Sequence, residues 1–371
     1  MSVALALSRM KNRYEGTMMR FNCAATSIGS FPQSDAVRAS ELVLKHFPEL
    51  PCWPQLPKRS FFEGMYVQYT ENVPYAVIDE AGKRIYFSLE GDHDEEVQLF
   101  YQRFVEEDVQ SFPITERNAA GLYAVRNLKD RINQCRPLYL KGQVTGPISF
   151  GLTVTDEKRR PIFYDESLRE ILVMALKMKA LWQIDFLKAV YPDVMLFIDE
   201  PYLASVGSAM ISLKEQDVLE VLGDLVRTIK SRGAASGIHC CGNTDWSLLM
   251  DTGVDMVSFD AFNYGDSFFL YPEKLRAFLD RQGVLAWGIV PTDPACGERG
   301  SVNSLLSIME TFMSDLQKKG FSSEEVLTRS VVTPTCGLAS LTEEEAVLAM
   351  EKTSALSMRL RERYAFTAAA S

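Results

Sequence analysis

VMLFIDEP, residues 194–201, decides the fold: five apolar residues run without a polar break and end on two acids and a proline. A strand that is apolar on both faces is covered on both faces, which is the condition of a parallel sheet flanked by helices. Five more stretches share this build: PLYLKGQVTG (137–146), SGIHCCG (236–242), DMVSFDAF (255–262), VLAWGIVP (284–291) and RSVVTPTCG (329–337). Longer segments of helical periodicity separate them. Four of these helices open on pairs with capping-box spacing: Ser167 with Glu170, Ser212 with Glu215, Ser322 with Glu325, and Ser340 with Glu343.

Upstream, NCAATSIGSFP (22–32) reads as a first strand and its turn, followed by an amphipathic helix over about 35–46. The segment 51–89 is rich in proline and aromatic residues. Within it, MYVQY (65–69) is the expected second barrel strand, and RIYFSL after the Ala81-Gly82 turn predicts a β-hairpin arm. Helices are expected over about 94–110 and 116–134. One disguised strand, one leading strand and six clear ones make eight β–α units. The expected architecture is α/β, a single decorated (β/α)8 TIM barrel over residues 1–371, with an N-terminal extension (1–20) and an aromatic, Pro-rich arm (51–89). An open doubly wound sheet is the alternative, but no Gly-x-Gly-x-x-Gly follows any strand.

The chain has 371 residues, 39 Lys and Arg against 49 Asp and Glu, and a net charge of −10. That balance argues against nucleic acid as a partner, since phosphate binding needs clustered cations. Seven Cys and three His do not make a disulfide scaffold in a chain this long. They read as reduced thiols of a cytoplasmic protein. The apolar run Val3–Leu7 is too short for a signal-peptide core, and no stretch approaches the ~18 apolar residues of a membrane helix. The closing Ala-Ala-Ala-Ser lies outside the fold argument.

In a β/α barrel, reactive groups hang from the C-terminal strand ends. These ends carry Ser30, Thr145, Asp199 with Glu200, His239 with Cys241, Asp260, Pro291 and Cys336. His239 and Cys241 are two apart and so point the same way, and Cys336 closes the last strand. One imidazole and two thiolates form a three-ligand zinc shell with a fourth position open, and metal coordination deprotonates a thiol outright. A satisfied core histidine among packed cysteines is the competing reading. Cys240 points to the other face, Cys23, Cys52 and Cys135 have no partner signal, and Cys296 is a reserve ligand candidate. Asp199 and Glu200 form an acid pair suited to a substrate ammonium or to proton transfer, although Asp199 could instead cap a turn. Asp260 is a fourth ligand or a partner of His239. EGDHDEE (90–96) reads as a solvated helix start with His93 exposed in it.

SIGSFPQ (27–33), KGQVTGP (141–147), IDEP (198–201), His239-x-Cys241 and PTCGL (334–338) occur in the order and spacing of the C-terminal catalytic barrel of cobalamin-independent methionine synthase. The chain also resembles the wider superfamily of uroporphyrinogen decarboxylase and the methylcobamide:thiol methyltransferases. The resemblance implies zinc on His239, Cys241 and Cys336, with Asp260 where the family places a Glu ligand. It implies a thiol substrate held by Ile28, Gly29 and Ser30 through its carboxylate and by Asp199 through its amino group. Asp199 and Asp260 are then the catalytic acids. In the mechanism it implies, a metal-held substrate thiolate attacks an electrophilic methyl group in line and becomes a thioether.

The departures fall on the methyl-donor side. The folate-dependent enzyme is about twice this length, and the Trp that follows TGP in the family is replaced by ISFGLT, which offers Phe150 and Thr153. GIVPT carries no His after the seventh strand. The family's second-strand acid falls in the region replaced here by the 51–89 arm, and Glu90 or Glu63 would have to serve in its place. These losses point to a methylcobamide donor carried on a corrinoid protein, with a homocysteine-like thiol as acceptor. The arm would be its docking surface, a dimer contact or a lid. Transfer to coenzyme M or tetrahydrofolate, a metal-free tetrapyrrole decarboxylase and an inactive relative with a structural zinc are the other readings.

Overall fold

The computed structural model describes residues 20–206, 211, 213–293 and 300–366. Ten strands occur among them: β1 (Ala24–Ala25), β2 (Ala76–Asp79), β3 (Arg84–Phe87), β4 (Leu140–Thr145), β5 (Thr155–Asp156), β6 (Val194–Asp199), β7 (Ala235–Cys240), β8 (Met256–Phe259), β9 (Val284–Val290) and β10 (Ser330–Pro334). Seven of them form one parallel sheet in the order β1-β10-β9-β8-β7-β6-β4. The fold is mixed α/β, a curled parallel sheet surrounded by helices. The stretches expected to form the first strand and the six clear ones all do so.

The period of two within each strand explains the curl. Along β6, Leu196 and Ile198 join the apolar layer beneath the helices, whereas Met195 and Phe197 pack in a separate cluster. That second cluster draws Ala235, Met256, Val284, Ala286 and Val331 from the other strands, together with Phe21, Leu50 and Tyr139. Residues from seven strands or their starts meet only if the sheet bends round them. The inner apolar plug fills the N-terminal half of the sheet's concave side. Polar residues follow it towards the C-terminal ends.

The stretch expected as the second strand does not form one. Met65–Tyr69 is not a strand: Val67–Tyr69 forms a 3-10 turn after another at Phe61–Glu63. The chain that lies between the sheet's two ends is 52–55, where Cys52 bridges Lys141 of β4 and Gln55 bridges Ser30 after β1. The Gln55 N–H donates to the Gly29 carbonyl at 2.8 Å, and the Phe31 N–H donates to the Gln55 carbonyl at 2.8 Å. Prolines at 51 and 54 cannot donate to a ladder, so pairing is reduced to isolated bridges. The segment 51–89 is therefore not one projecting arm. Cys52, Trp53 and Leu56 are buried in the core, and only β2 and β3 form the expected hairpin, which β5 extends in parallel.

Helix starts show which cap wins where two compete. Asp35 caps Ala36–His46 through the Val37 and Arg38 N–H groups. Ser322 caps Ser323–Thr328 at the Glu325 N–H, as the spacing predicts. The long helix Glu166–Lys188 is capped by Asp165 rather than Ser167, and Glu343–Arg363 by Thr342 in a box with Glu345 rather than by Ser340 with Glu343. A neighbouring Asp or Thr serves as well as Ser at such a position, so spacing alone misplaces the start by two residues. Ser212 lies outside the described residues, and Glu215–Ser231 starts after Lys214. The region 94–110 holds a helix over Asp94–Val105 and a 3-10 turn, and 116–134 divides into Ala120–Asn127 and Lys129–Cys135. Among the described residues no helix is long and apolar enough to cross a membrane. The 1–20 extension lies outside the described residues except for Arg20, as does the terminal Ala-Ala-Ala-Ser.

Candidate metal centre

Register places the candidate residues in one row. Thr145 of β4 pairs with Asp199 of β6, Asp199 with His239 of β7, and His239 with Ser258 of β8. Row neighbours in a parallel sheet project to the same side, so these four side chains share the concave face with the apolar plug. His239 is buried, and its Nδ1 lies 2.9 Å from Ser258 Oγ. Nε2 is buried without a hydrogen-bond partner. With Nδ1–H donating to the serine, Nε2 presents a lone pair to whatever fills the space beside it.

What lies there is the thiol pair. The ligand atoms of His239, Cys241 and Cys336 all fall within 4.8 Å of one another. Cys241 follows β7 and Cys336 follows β10, so the sheet's curl brings together residues 95 positions apart in sequence. The thiols divide the charge between them. The neighbouring Cys241 thiol holds the Cys336 thiol below the ordinary thiol range against the opposing effect of burial, and His239 adds to the lowering. Sharing that proton and burial both push Cys241 well up. A buried imidazole nitrogen and two cysteine sulfurs make a soft donor set of the kind that holds zinc.

The carboxylates take different roles. Burial pushes the Asp199 carboxyl up to about 6, opposed by His239 and Lys141. Its Oδ1 is buried without a partner and remains available for a ligand. Glu200 faces away from the centre and caps the short helix Pro147–Thr153. Its Oε1 accepts the Ile148 N–H at 2.9 Å, and its Oε2 accepts the Ser149 N–H at 2.7 Å and hydroxyl at 2.5 Å. Burial pushes Glu200 up to about 7 despite these bonds. Asp260 likewise serves as a cap, for Ala261–Phe268, with Oδ1 and Oδ2 accepting from the Asn263 backbone and side chain at 3.0 and 2.7 Å. The described cluster of three does not include it.

The turn Ile28–Gly29–Ser30 stands beside Cys336. A side chain on Gly337 would lie 2.0 Å from Ser30 Oγ, and the Leu338 N–H donates to the Ser30 carbonyl at 2.8 Å. Lys141 holds the turn from below. Its Nζ is buried, donates to the Ile28 carbonyl and sits 4.6 Å from the Phe197 ring centroid. Lys141 belongs to the KGQVTGP stretch, yet its residue type alone does not distinguish it from an exposed lysine. Ser258 was equally silent. The available signal for both was a polar residue at an inward strand position, two residues on from an apolar one.

Other expected residues lie apart from the centre. Glu90 is exposed beyond the hairpin, where its carbonyl accepts from His93 Nε2 at 2.9 Å. Glu63 is buried against Arg59 at 2.7 Å. The residue that bridges Ser30 in the second-strand position is Gln55, not an acid. Phe150 is buried edge-on against Tyr66 and Phe87, so it offers no open stacking face, and Thr153 donates to the Tyr66 hydroxyl at 3.1 Å. His93 is half-buried against Tyr75 rather than exposed. Cys240, Cys23 and Cys52 are buried, Cys135 is exposed, and Cys296 lies outside the described residues.

No family model matches the chain, and no curated protein matches it. Among solved structures it is similar to pneumococcal StrH, in a study of N-glycan recognition and hydrolysis, at 12% identity over 94% of this chain and 88% of that one, with a TM-score of 0.45. A second similar structure comes from the tandem GH20 catalytic modules of the pneumococcal exo-β-D-N-acetylglucosaminidase StrH. It shows 12% identity over 95% and 90% of the two chains and a TM-score of 0.43. Likenesses at this level carry no argument about this chain's chemistry.

Proposed function

We propose that this chain is a zinc-dependent (β/α)8-barrel methyltransferase that moves a methyl group from a methylcorrinoid, carried on a partner protein, to a homocysteine-like thiol. Residues 52–55 serve as the second barrel strand in this reading. The observation that carries it is the convergence of His239, Cys241 and Cys336 within 4.8 Å, with His239 Nε2 orphaned in a buried position. A buried polar atom without a partner is costly unless a ligand completes it. Zinc on these three residues would leave a position for the acceptor sulfur and hold it as a thiolate at neutral pH.

The protein's own groups do the rest. Ser258 fixes the His239 ring, so Nε2 faces the two sulfurs. Asp199 Oδ1 takes the acceptor's ammonium, and the Ile28–Ser30 turn, held by Lys141, receives its carboxylate. Such anchoring aligns the sulfur for in-line attack and reduces the entropy lost on reaching the transition state. Phe150 is buried and His is absent from GIVPT, which supports a donor other than a stacked folate. The test is to assay homocysteine methylation with methylcobalamin or a methylated corrinoid protein, against methyltetrahydrofolate. Activity with the corrinoid donors is expected; activity with the folate alone contradicts the choice of donor.

A further inference from the structure

Asp199 Oδ1 and His239 Nε2 are not the only orphaned atoms on the concave face. Gln143 Oε1 and Thr145 Oγ1, both on β4, are buried without partners in the same region. Gln143 pairs in register with Phe197 of the inner plug, and Thr145, two residues on, pairs with Asp199. The Gln143 amide also packs on the substrate turn: a Cβ on Gly29 would lie 2.8 Å from its Cδ and 3.0 Å from its Oε1.

The side chain is held in one orientation. Its Nε2 donates to the Trp53 carbonyl at 3.1 Å, which fixes the amide's orientation and leaves the oxygen as the end without a partner. The backbone is fixed as well. Its N–H donates to Gln183 Oε1 at 3.2 Å, and its carbonyl accepts from Tyr69 Oη at 2.8 Å and Gln183 Nε2 at 2.9 Å. A rigid, fully buried acceptor with no donor facing it is a place for a ligand N–H. Lys141, a buried cation on the same strand, donates to the Ile28 carbonyl, and Gln143 Oε1 has no partner.

We infer that Gln143 is a specificity-determining residue for the acceptor, its Oε1 sharing with Asp199 the ammonium of an α-amino thiol acid. This rests on the thiol-methylation reading and narrows it. A thiol with a carboxylate or sulfonate but no amine leaves both oxygens unpaired on binding. The site therefore rejects it through the unmet acceptors rather than by size.

The test uses the full chain with Co2+ in place of zinc, reading the thiolate-to-cobalt absorption band during titration with homocysteine or with 4-mercaptobutanoate, its des-amino analogue. The wild type should bind homocysteine more tightly. Gln143→Met, close in volume and without the amide, should weaken homocysteine about tenfold or more, as for a lost hydrogen bond to a charged group, and leave 4-mercaptobutanoate within about twofold. Gln143→Glu should raise the preference for homocysteine, and it carries the test if the methionine variant does not fold. Equal weakening of both thiols, no weakening of either, or a preference that fails to rise in Gln143→Glu overturns the inference and leaves the methylation reading standing. A wild type whose thiolate-to-cobalt band does not change on addition of either thiol overturns the methylation reading, and the inference with it.

Discussion

Replacing Ser258 by Ala tests how the centre is ordered, because it removes the one hydroxyl that supports the His239 ring and leaves the three proposed ligands in place. Ser258 is buried, and its Oγ lies 2.9 Å from His239 Nδ1. In Ser258→Ala the imidazole either keeps Nδ1–H buried without a partner or moves the proton to Nε2, where it blocks the atom that faces the sulfurs. Leaving a buried donor unmet costs about 1–3 kcal/mol. Part of that cost falls on the metal-free protein, so the affinity loss should be about 10- to 100-fold, the range typical when a ligand's supporting hydrogen bond is removed. Zinc affinity is measured by competition with a chromophoric chelator, alongside thermal melting of the metal-free variant to confirm folding. A folded variant that binds zinc within about twofold of wild type would refute the assignment of Nε2 as ligand, since the ring would then have no need of its support.

Three further outcomes follow from the geometry. Cys336→Ala should abolish zinc retention and thiol methylation together, checked by metal analysis of the purified variant; full activity there removes the centre of the account. Gly146→Ala should destabilise the fold by about 3 kcal/mol or more in denaturant titration, because its Cβ would lie 2.0 Å from Glu200 Cδ and dislodge a buried cap. A cost below about 1 kcal/mol would show that Glu200 moves freely. Glu200 also sets a pH dependence. Its carboxyl is raised from 4.5 to about 7 in the folded chain, so its contribution is fully present below the unfolded value and is lost as pH rises through about 7. Metal-free wild type should lose stability between about pH 4.5 and 7 from this group, and a denaturant midpoint that rises with pH over that window goes against the burial described.

The strands were legible wherever both faces of the sheet are covered, because continuous apolar runs such as VMLFI (194–198) have no other use in a chain of this composition. The segment that bridges the two ends of the sheet was not. CWPQ (52–55) pairs through isolated bridges and is flanked and interrupted by prolines, so it carries neither alternation nor length. MYVQY has the right residue types, but Val67–Tyr69 form a 3-10 turn buried beside Gln55, where Gln68 accepts from the Gln55 amide at 2.8 Å. The metal candidates were legible because Cys and His at strand ends are few and chemically distinctive. Asp260 looked like a ligand by the same logic, yet its carboxylate caps a helix, and sequence does not separate these uses of an acid after a strand. Ser258, Lys141 and Gln143 act through a cross-strand neighbour, a carbonyl on another turn and an orphaned oxygen. Each depends on which residue the sheet sets beside it, a register that no single segment contains.

X-ray absorption at the zinc edge of the purified protein, before and after addition of homocysteine, bears most directly on the central claim. The expected result is one zinc per chain with one nitrogen and two sulfur ligands from the protein, gaining a third sulfur when the thiol is added. Absence of zinc, or four protein ligands that the thiol does not displace, would contradict it.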